Sequence, residues 1–260
     1  MKKIEMVDLK GQYEQIREEV NRSVLETIES TLFINGPKVK SFQDHLEKYL
    51  GVKHVIPCAN GTDALQIALM SLGLKPGDEV ITSNFTFAAT VEVISLLGLT
   101  PLLVDVDPKT FNIDIPSIEK AIGPKTKAII PVHLFGQVAE MAEILALAEE
   151  NNLYVIEDNA QSIGANYTFS DGSKKKTGTL GHVGTTSFFP SKNLGAYGDG
   201  GAIFTNDNEL AHTIRGIVNH GMYIRYQHDV VGVNSRLDSV QAAILNIKLN
   251  YLDIYNEFRK

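Results

Sequence analysis

Lys192 has the least ordinary surroundings of any lysine in the sequence. It lies in SFFPSKNLGAYGDGG, residues 187–201, which is apolar and rich in glycine, whereas most lysines sit on solvated helix faces. Desolvation lowers the pKa of a lysine from ~10.4, and a neutral amine is a nucleophile that can form a Schiff base. Lys192 is therefore a candidate for covalent catalysis. The segment is also compatible with a surface lysine beside a hairpin.

The tetrapeptide Asn60-Gly61-Thr62-Asp63 follows the strand-like run HVIPCA and precedes a helix-like run. Gly61 lets a ligand approach the backbone, and Thr62 with the free N–H groups of a first helical turn could hold a phosphate. Asn, Thr and Asp also cap ordinary helices. The local sequence leaves both interpretations open.

Two further candidates follow predicted strands. Asp158 comes just after the apolar run LYVI, and a carboxylate delivered by a buried strand is costly unless a cation or a donor meets it. A protonated pyridine nitrogen is one such partner, and a turn capped by Asp158 is the alternative. Phe87 follows the run EVITS, where a ring could stack on a flat cofactor, although phenylalanine more often belongs to the core.

The elements that would position these residues alternate along the chain. From about residue 54 to 220, apolar runs of strand length rich in Val, Ile and Leu alternate with helix-period segments. This pattern predicts an α/β fold with a mainly parallel sheet covered by helices on both faces. Ligands bind such sheets at the carboxyl ends of the strands, so we expect all four candidates at that edge.

Composition excludes several classes of protein. The chain has 260 residues, 43% of them hydrophobic, and a net charge of −7, which disfavours binding to nucleic acid or to an anionic membrane. Its single cysteine, Cys58, excludes a disulfide framework and predicts a small buried side chain. No export signal, membrane span or zinc-ligand spacing is found, so we expect a cytoplasmic protein without a metal site.

Six ordered stretches resemble the DegT/DnrJ/StrS nucleotide-sugar branch of the fold-type-I aminotransferases, which depend on pyridoxal 5'-phosphate (PLP). They are ANGTDALQIAL, GDEVITSNFTFAAT, KAIIPVHLFGQ, VIEDNAQSIGA, TSFFPSKNLGAYGDGGAIFTND and GVNSRLDSVQAAIL. Together they extend from residue 59 to about residue 245. The resemblance implies the PLP fold type I, a central sheet flanked by helices.

The resemblance also implies a role for individual residues. Lys192 matches the lysine that binds PLP and moves a proton during the reaction, and Asp158 matches the partner of the pyridine nitrogen. The remaining matches are Gln161 for the 3-hydroxyl of the cofactor, Phe87 for ring stacking, and Gly61, Thr62 and Ser187 for its phosphate. Asn234 matches a residue that the neighbouring subunit contributes to the phosphate, which implies a homodimer with shared active sites.

The implied reaction transfers an amino group from L-glutamate to a nucleotide-linked keto sugar, in amino-sugar and surface-polysaccharide biosynthesis. A dehydrating branch of the family has histidine where this chain has Lys192, so transamination is favoured. The residues of these motifs are most similar to those of members that aminate a 3-keto sugar linked to UDP or dTDP, including 2-acetamido-3-keto-glucuronic acid. Arg225 or Arg236 could meet a sugar carboxylate, although structural or subunit contacts are the more common roles.

The resemblance predicts a PLP-binding large domain over residues 1–245, with an N-terminal helical segment at 8–50. Residues 246–260 would begin the linker helix to a small C-terminal domain, which family members complete over roughly another hundred residues. We therefore expect that domain to be largely absent. The alternative function is a PLP-binding homologue with impaired catalysis or a regulatory role.

Three further expectations concern structure. The polar segment 170–181 is predicted to be an exposed hairpin or loop. The segments 209–221 and 235–258 have the pattern of helices. His133 is interpreted either as part of the active-site floor, by the resemblance, or as a core histidine with its hydrogen bonds satisfied.

Overall fold

A computed structural model describes residues 7–259, so the first six residues of the predicted large domain and Lys260 lie outside the described range. No helix in that range is long and apolar enough to cross a membrane. In chain order the helices are α1 (Leu9–Ser30), α2 (Pro37–Leu50), α3 (Gly61–Ser71), α4 (Ala88–Leu96), α5 (Ile115–Ala121), α6 (Met141–Asn151), α7 (Asn208–Ile217), α8 (Ser239–Leu249) and α9 (Leu252–Glu257).

The strands are β1 (His54–Cys58), β2 (Glu79–Ser83), β3 (Thr100–Val104), β4 (Thr126–Ile130), β5 (Tyr154–Asp158), β6 (Asn166–Thr168), β7 (Lys174–Lys176), β8 (Val183–Ser187), β9 (Gly201–Thr205), β10 (Met222–Ile224) and β11 (Gln227–His228). Within residues 7–259, seven of them form one sheet in the order β1-β9-β8-β5-β4-β2-β3. Within this sheet β9 runs opposite to the other six strands, which all point in one direction. The predicted α/β fold with a mainly parallel sheet is confirmed.

The apolar character of the strands follows from burial on both faces of the sheet. Val155 and Ile156 are neighbours in β5, so their side chains point to opposite faces, and both are fully buried. Val155 packs in a cluster with Ile144 of α6, whereas Ile156 packs with Leu65 of α3. The centre of a strand that is covered on both sides must be apolar at successive positions, and this explains why Val155 and Ile156 do not alternate with polar residues.

The N-terminal helices pack at the end of the sheet that carries β1 and β9. Phe42 and Leu46 of α2 share a buried cluster with Leu245 of α8. Ile16 of α1 packs against Ile244 on the same helix. The helices α1, α2 and α8 thus pack together and cover this part of the sheet.

The parallel arrangement brings several strand ends to one edge. β5 and β8 run in the same direction and end at Asp158 and Ser187. Because β9 is antiparallel to both β8 and β1, β1 also runs in that direction and delivers the start of α3 to the same edge. The convergence expected from the sequence is therefore observed.

The segment 170–181 differs from its prediction in its second half. Its first part belongs to the exposed hairpin of β6 and β7, as expected. Residues 177–179 are instead buried. The reason is that the backbone N–H groups of Gly178, Leu180 and Gly181 donate hydrogen bonds to the buried carboxylate of Glu157.

The segments 209–221 and 235–258 are less regular than predicted. α7 ends at Ile217, and the positive φ angles of His220 and Gly221 turn the chain away. The second helix begins only at Ser239, because Asp238 is extended and bridges to Ile34. It is then interrupted between α8 and α9, so the prediction of one continuous helix is wrong.

Replacing Phe188 by alanine is expected to lower the free energy of unfolding by about 3–5 kcal/mol, since the ring is fully buried. Phe188 follows β8 directly and meets the ring of Phe42 edge-on at 5.3 Å. Urea denaturation followed by circular dichroism measures the change. The neighbouring Phe189 is 53% exposed, and its replacement by alanine is the matched control, with an expected cost below ~1 kcal/mol. Equal losses in the two variants would contradict this packing.

Candidate active site

The edge where these strands end contains a cavity of about 610 Å³. Its wall holds seven of the eight residues selected from the sequence, namely Gly61, Thr62, Phe87, Asp158, Gln161, Ser187 and Lys192. They come from four separate parts of the chain, and the fold brings them into one site. Asn234, the eighth, does not line this cavity.

The start of α3 forms one end of the cavity. Asn60 caps the helix, because its Oδ1 accepts a hydrogen bond of 2.8 Å from the backbone N–H of Asp63, which confirms the cap interpretation. The backbone N–H groups of Gly61 and Thr62 donate no hydrogen bond to the described residues, so the first turn can still meet an anion. A Cβ atom on Gly61 would lie 2.6 Å from Cβ of Ser187. Only glycine fits against β8 at this point.

Asp158 is a carboxylate held inside the cavity wall with 5% of its surface exposed. Oδ2 accepts a hydrogen bond of 2.8 Å from the hydroxyl of Thr90. Oδ1 accepts one of 3.1 Å from the backbone N–H of Ala160. Both donors are neutral, so a cationic group in the cavity would complete the environment that a buried carboxylate requires.

Lys192 lies in a tight turn beyond β8. Its backbone N–H bonds to the carbonyl of Phe189, and a Cβ atom on Gly195 would come within 2.2 Å of the carbonyl oxygen of Pro190. Burial lowers the pKa of Lys192, the charge of Asp158 partly opposes this, and Arg259 lowers it further. The amine is thereby closer to its neutral, nucleophilic form than a solvated lysine would be.

Gln161 and Phe87 complete the cavity wall. Oε1 of Gln161 accepts a hydrogen bond of 2.8 Å from the backbone N–H of Phe135. Phe87 stands immediately before α4 with 70% of its surface exposed, so the interpretation of Phe87 as a core residue is wrong. An exposed ring beside a cavity is available to stack on a bound molecule.

Residues 14–260 match the model of the DegT/DnrJ/EryC1/StrS aminotransferase family. The chain belongs to this family. The resemblance inferred from the six sequence stretches is therefore confirmed over nearly the whole chain.

Several relatives of this DegT-family aminotransferase are similar over almost all of its length. The UDP-2-acetamido-2-deoxy-3-oxo-D-glucuronate aminotransferase of Pseudomonas aeruginosa is 52% identical over 96% of this chain and 68% of that protein. A pleiotropic regulatory protein of Geobacillus stearothermophilus is 51% identical over 99% of this chain and 68% of its own length. The UDP-N-acetyl-3-dehydro-alpha-D-glucosamine 3-aminotransferase of Acidithiobacillus ferrooxidans is 46% identical over 99% of this chain and 68% of that protein.

Solved structures of the family share its fold. DesV of Streptomyces venezuelae, in complex with a ketimine intermediate, superposes with a TM-score of 0.93 at 39% identity, over 98% of this chain and 67% of that one. NtdA of Bacillus subtilis, with bound cofactor PMP, gives a TM-score of 0.85 at 37% identity, over 92% of this chain and 54% of that one. PLP, whose aminated form is PMP, is the cofactor of the DegT family.

The cavity of this DegT-family member fits PLP in its charges and hydrogen-bond donors. Asp158 is a buried carboxylate with only neutral partners, which suits a pyridinium nitrogen. The N–H groups of the first turn of α3 suit a phosphate, and the absence of a side chain at Gly61 lets this turn lie directly against Ser187 of β8. Lys192 supplies an amine of lowered pKa in the same wall.

The arginines proposed to meet a sugar carboxylate lie outside this cavity. Arg225 is exposed and stacks on the ring of Tyr226. Arg236 donates a hydrogen bond of 3.3 Å from Nη1 to Oδ1 of Asn219. Asn234 is exposed on the same segment. None of the three reaches the cavity of its own chain.

His133 and Cys58 are core side chains. His133 is fully buried, and both of its ring nitrogens are hydrogen-bonded. This confirms its interpretation as a satisfied core histidine. Cys58 is also fully buried, and burial raises the pKa of its thiol, which agrees with the expected small buried side chain.

Two residues that support the site had no role in the sequence analysis. Thr90 holds Asp158, and it lies within the quoted stretch GDEVITSNFTFAAT, so the motif itself was the available signal. Ser235 is fully buried and donates a hydrogen bond of 2.6 Å to Oδ2 of Asp63. It also accepts one from the backbone N–H of Ala59. Ser235 thus ties the chain next to Asn234 to the first turn of α3.

The lowered pKa of Lys192 predicts how the cofactor-free protein reacts with PLP as the pH changes. Because only the neutral amine attacks an aldehyde, the midpoint of the rate profile should lie below that of free lysine, which is ~10.4. The absorbance change on adding PLP gives the rate, with Nα-acetyl-lysine as reference. Arg259→Gln removes a cation that lowers the pKa, so its midpoint should move upward. A wild-type midpoint equal to that of the reference would contradict the prediction.

Proposed function

We propose that this protein is a PLP-dependent aminotransferase that transfers an amino group from L-glutamate to the ketone of a nucleotide-linked sugar. The observation that carries the proposal is one cavity wall holding both the Lys192 amine, with its lowered pKa, and the buried carboxylate of Asp158. Family membership supports the same reaction. When bound, PLP supplies an electron sink that stabilises a carbanion next to nitrogen.

Each residue of the cavity has a defined task in this proposal. Asp158, held by Thr90, pairs with the pyridine nitrogen and keeps it protonated. The backbone of Gly61, the hydroxyls of Thr62 and Ser187 and the dipole of α3 hold the phosphate.

The two remaining ring contacts come from Gln161, which bonds the 3-oxygen, and Phe87, which stacks on the ring from the mouth of the cavity. Phe87 also shields that face from water.

Lys192 has two tasks. It would bind the cofactor covalently through Nζ, and once the amine of glutamate has displaced it, its neutral amine would accept the proton from the α-carbon of glutamate. Its burial favours the neutral form needed for both steps. A histidine could not form the covalent bond, so the presence of lysine at this position supports amino transfer over dehydration.

The proposed acceptor is a 3-keto sugar linked to UDP or dTDP. Two relatives whose names state a 3-oxo or 3-dehydro sugar are 52% and 46% identical to this chain. The same proposal places the protein in the cytoplasm, in the synthesis of amino sugars for surface polysaccharides. It also assigns residues up to 245 to the cofactor-binding domain and 246–260 to the start of a linker.

A homodimer with shared active sites is part of the proposal. Asn234 does not reach the cavity of its own chain, and exposed apolar side chains lie nearby, with Tyr226 77% and Val231 85% exposed. Such a surface suits contact with a second subunit. Analytical ultracentrifugation of the PLP-loaded protein tests the dimer, and a monomer would remove this part of the proposal.

The function is tested by incubating the PLP-loaded protein with L-glutamate and a panel of UDP- and dTDP-linked 3-keto and 4-keto sugars. Mass spectrometry detects the change from ketone to amine, and glutamate should bleach the visible absorbance of the bound cofactor. A protein that binds PLP but is not bleached by glutamate would be the non-catalytic homologue. Amination of 4-keto sugars alone would overturn the substrate proposal.

A further inference from the structure

His133 and Glu157 form a buried pair next to the cavity, and both side chains are completely inaccessible to solvent. The distance between Nε2 of His133 and Oε2 of Glu157 is 2.9 Å. Neither residue lines the cavity, so neither can touch a bound cofactor. Burying an ion or dipole pair of this kind costs free energy, unless hydrogen bonds to its neighbours offset the loss of hydration.

The hydrogen bonds of the pair define its proton positions. Nδ1 of His133 faces the backbone N–H of Ala139, which can only donate, so Nδ1 is an acceptor and the ring proton is on Nε2. Glu157 accepts a hydrogen bond from Nε2–H of His133 and three from the backbone N–H groups of Gly178, Leu180 and Gly181. All four partners are donors, which suits a carboxylate. The pair is therefore fully satisfied and directional.

The turn that follows His133 is strained. Phe135 has φ 55° and ψ 19°, a left-handed conformation that costs a residue with a side chain about 1 kcal/mol or more. The side chain of Asn112 holds the same turn, accepting from the N–H of Leu134 and donating to the carbonyls of Gln137 and Val138. Strain of this kind persists only where the surroundings impose it.

The strained turn aims the backbone N–H of Phe135 at Oε1 of Gln161, 2.8 Å away. A backbone N–H can only donate, so the atom facing it must be the amide oxygen. The NH₂ group of Gln161 is consequently the end left for the cavity that this residue lines. Without the Phe135 contact, the two ends of the amide could exchange by rotation.

We propose that the buried His133–Glu157 pair is a positioning device that holds the Phe135 turn, so that Gln161 presents its NH₂ group as a hydrogen-bond donor to the 3-oxygen of PLP. The inference rests on the proposed function, because it concerns the same cofactor. It adds that His133 and Glu157, which touch no substrate, control the proton affinity of the lysine-bound cofactor.

The physical link is the charge on the 3-oxygen. While the lysine-linked nitrogen carries its proton, it would donate a hydrogen bond to the 3-oxygen. When the nitrogen loses this proton, the 3-oxygen would lose that hydrogen bond, and the NH₂ group of Gln161 would stabilise the negative charge on the oxygen. The donor therefore lowers the pH at which the proton leaves. Removing one hydrogen bond should raise the midpoint of the spectral pH titration by about 0.5–1 unit.

The test is a spectrophotometric pH titration of the PLP-loaded wild type, Gln161→Ala, His133→Phe and the double variant. Gln161→Ala and His133→Phe should each raise the midpoint, and the double variant should rise no further than Gln161→Ala alone, because both act on one hydrogen bond. His133→Gln, which keeps a donor toward Glu157, should recover part of the shift. The exposed His212 provides the control, since His212→Phe should leave the midpoint at the wild-type value.

Additive shifts in the double variant, or no shift in His133→Phe, would overturn the inference. If His133→Phe does not fold, Asn112→Ala loosens the same turn from its other side and is read in the same way. Failure of the proposed function looks different, because a wild type without PLP absorbance gives no titration at all. If the wild type titrates but the midpoint of Gln161→Ala equals that of the wild type, this inference is wrong and the proposed function still holds.

Discussion

Replacing Lys192 by alanine is expected to reduce kcat/KM for amino transfer by at least about 10³-fold, since one residue carries both covalent binding and proton transfer. The fold should survive, because the Lys192 side chain makes no hydrogen bond with the described residues and serves no core cluster. The visible absorbance of the lysine-bound cofactor should disappear, although PLP can still occupy the cavity through its phosphate and ring contacts. Single-turnover assays with L-glutamate and a keto sugar measure the loss.

Two matched variants show whether the loss is specific. Lys192→Arg keeps the positive charge but cannot supply a neutral amine, so it should be as inactive as Lys192→Ala. Lys176→Ala removes a half-buried lysine of the β6–β7 hairpin that does not line the cavity. Its activity should stay within about threefold of the wild type, as expected for a change distant from the chemistry. An active Lys192→Arg would show that charge alone suffices.

Replacing Asp158 by asparagine is expected to reduce kcat/KM by about 10²- to 10⁴-fold. Breaking a buried ion pair costs about 3–5 kcal/mol, and each ~1.4 kcal/mol corresponds to a tenfold change in rate. Asparagine has nearly the same shape and retains an oxygen for one of the two donors, Thr90 or Ala160. The loss should therefore reflect the missing negative charge opposite the pyridine nitrogen and not a collapse of the cavity.

Asp199 offers the control for this variant, since it lines the same cavity but is exposed to solvent. Asp199→Asn removes the same charge from a position where water screens it, and its activity should remain within about threefold of the wild type. Thermal unfolding of both variants separates stability from catalysis. If Asp158→Asn and Asp199→Asn lose activity equally, the overall charge of the cavity would explain the loss. Asp158 would then have no specific role as the partner of the pyridine nitrogen.

The sequence by itself predicted the fold class and most of the cavity. Val155 and Ile156 at successive positions of β5 indicate burial on both faces, and helical segments between such strands indicate a parallel sheet. Since parallel strands end at one edge, residues that follow them must meet. This is why the sequence alone predicts Asp158, Ser187 and Lys192 in one site. The six family motifs then gave them roles.

The sequence was less informative about how long each element continues. The pattern of residues 235–258 reads as one helix, yet the chain is extended before Ser239 and breaks between α8 and α9. The extended part depends on Asp238 bridging to Ile34 and on the Ser239 N–H bonding to the carbonyl of Phe33. Periodicity reports which side of a helix would be buried. It does not report a competing contact with a distant segment.

Only the tertiary structure decided which groups orient the functional side chains. Thr90 and Asp158 are 68 positions apart, and Ser235 and Asp63 are 172 apart. The N–H of Phe135 meets Gln161 because the backbones of His133 and Asp158 are bonded side by side. Such contacts depend on strand order and register, which no local pattern encodes. Residue types and spacing thus determined what chemistry is available, and the packing of distant segments determined the direction in which each group acts.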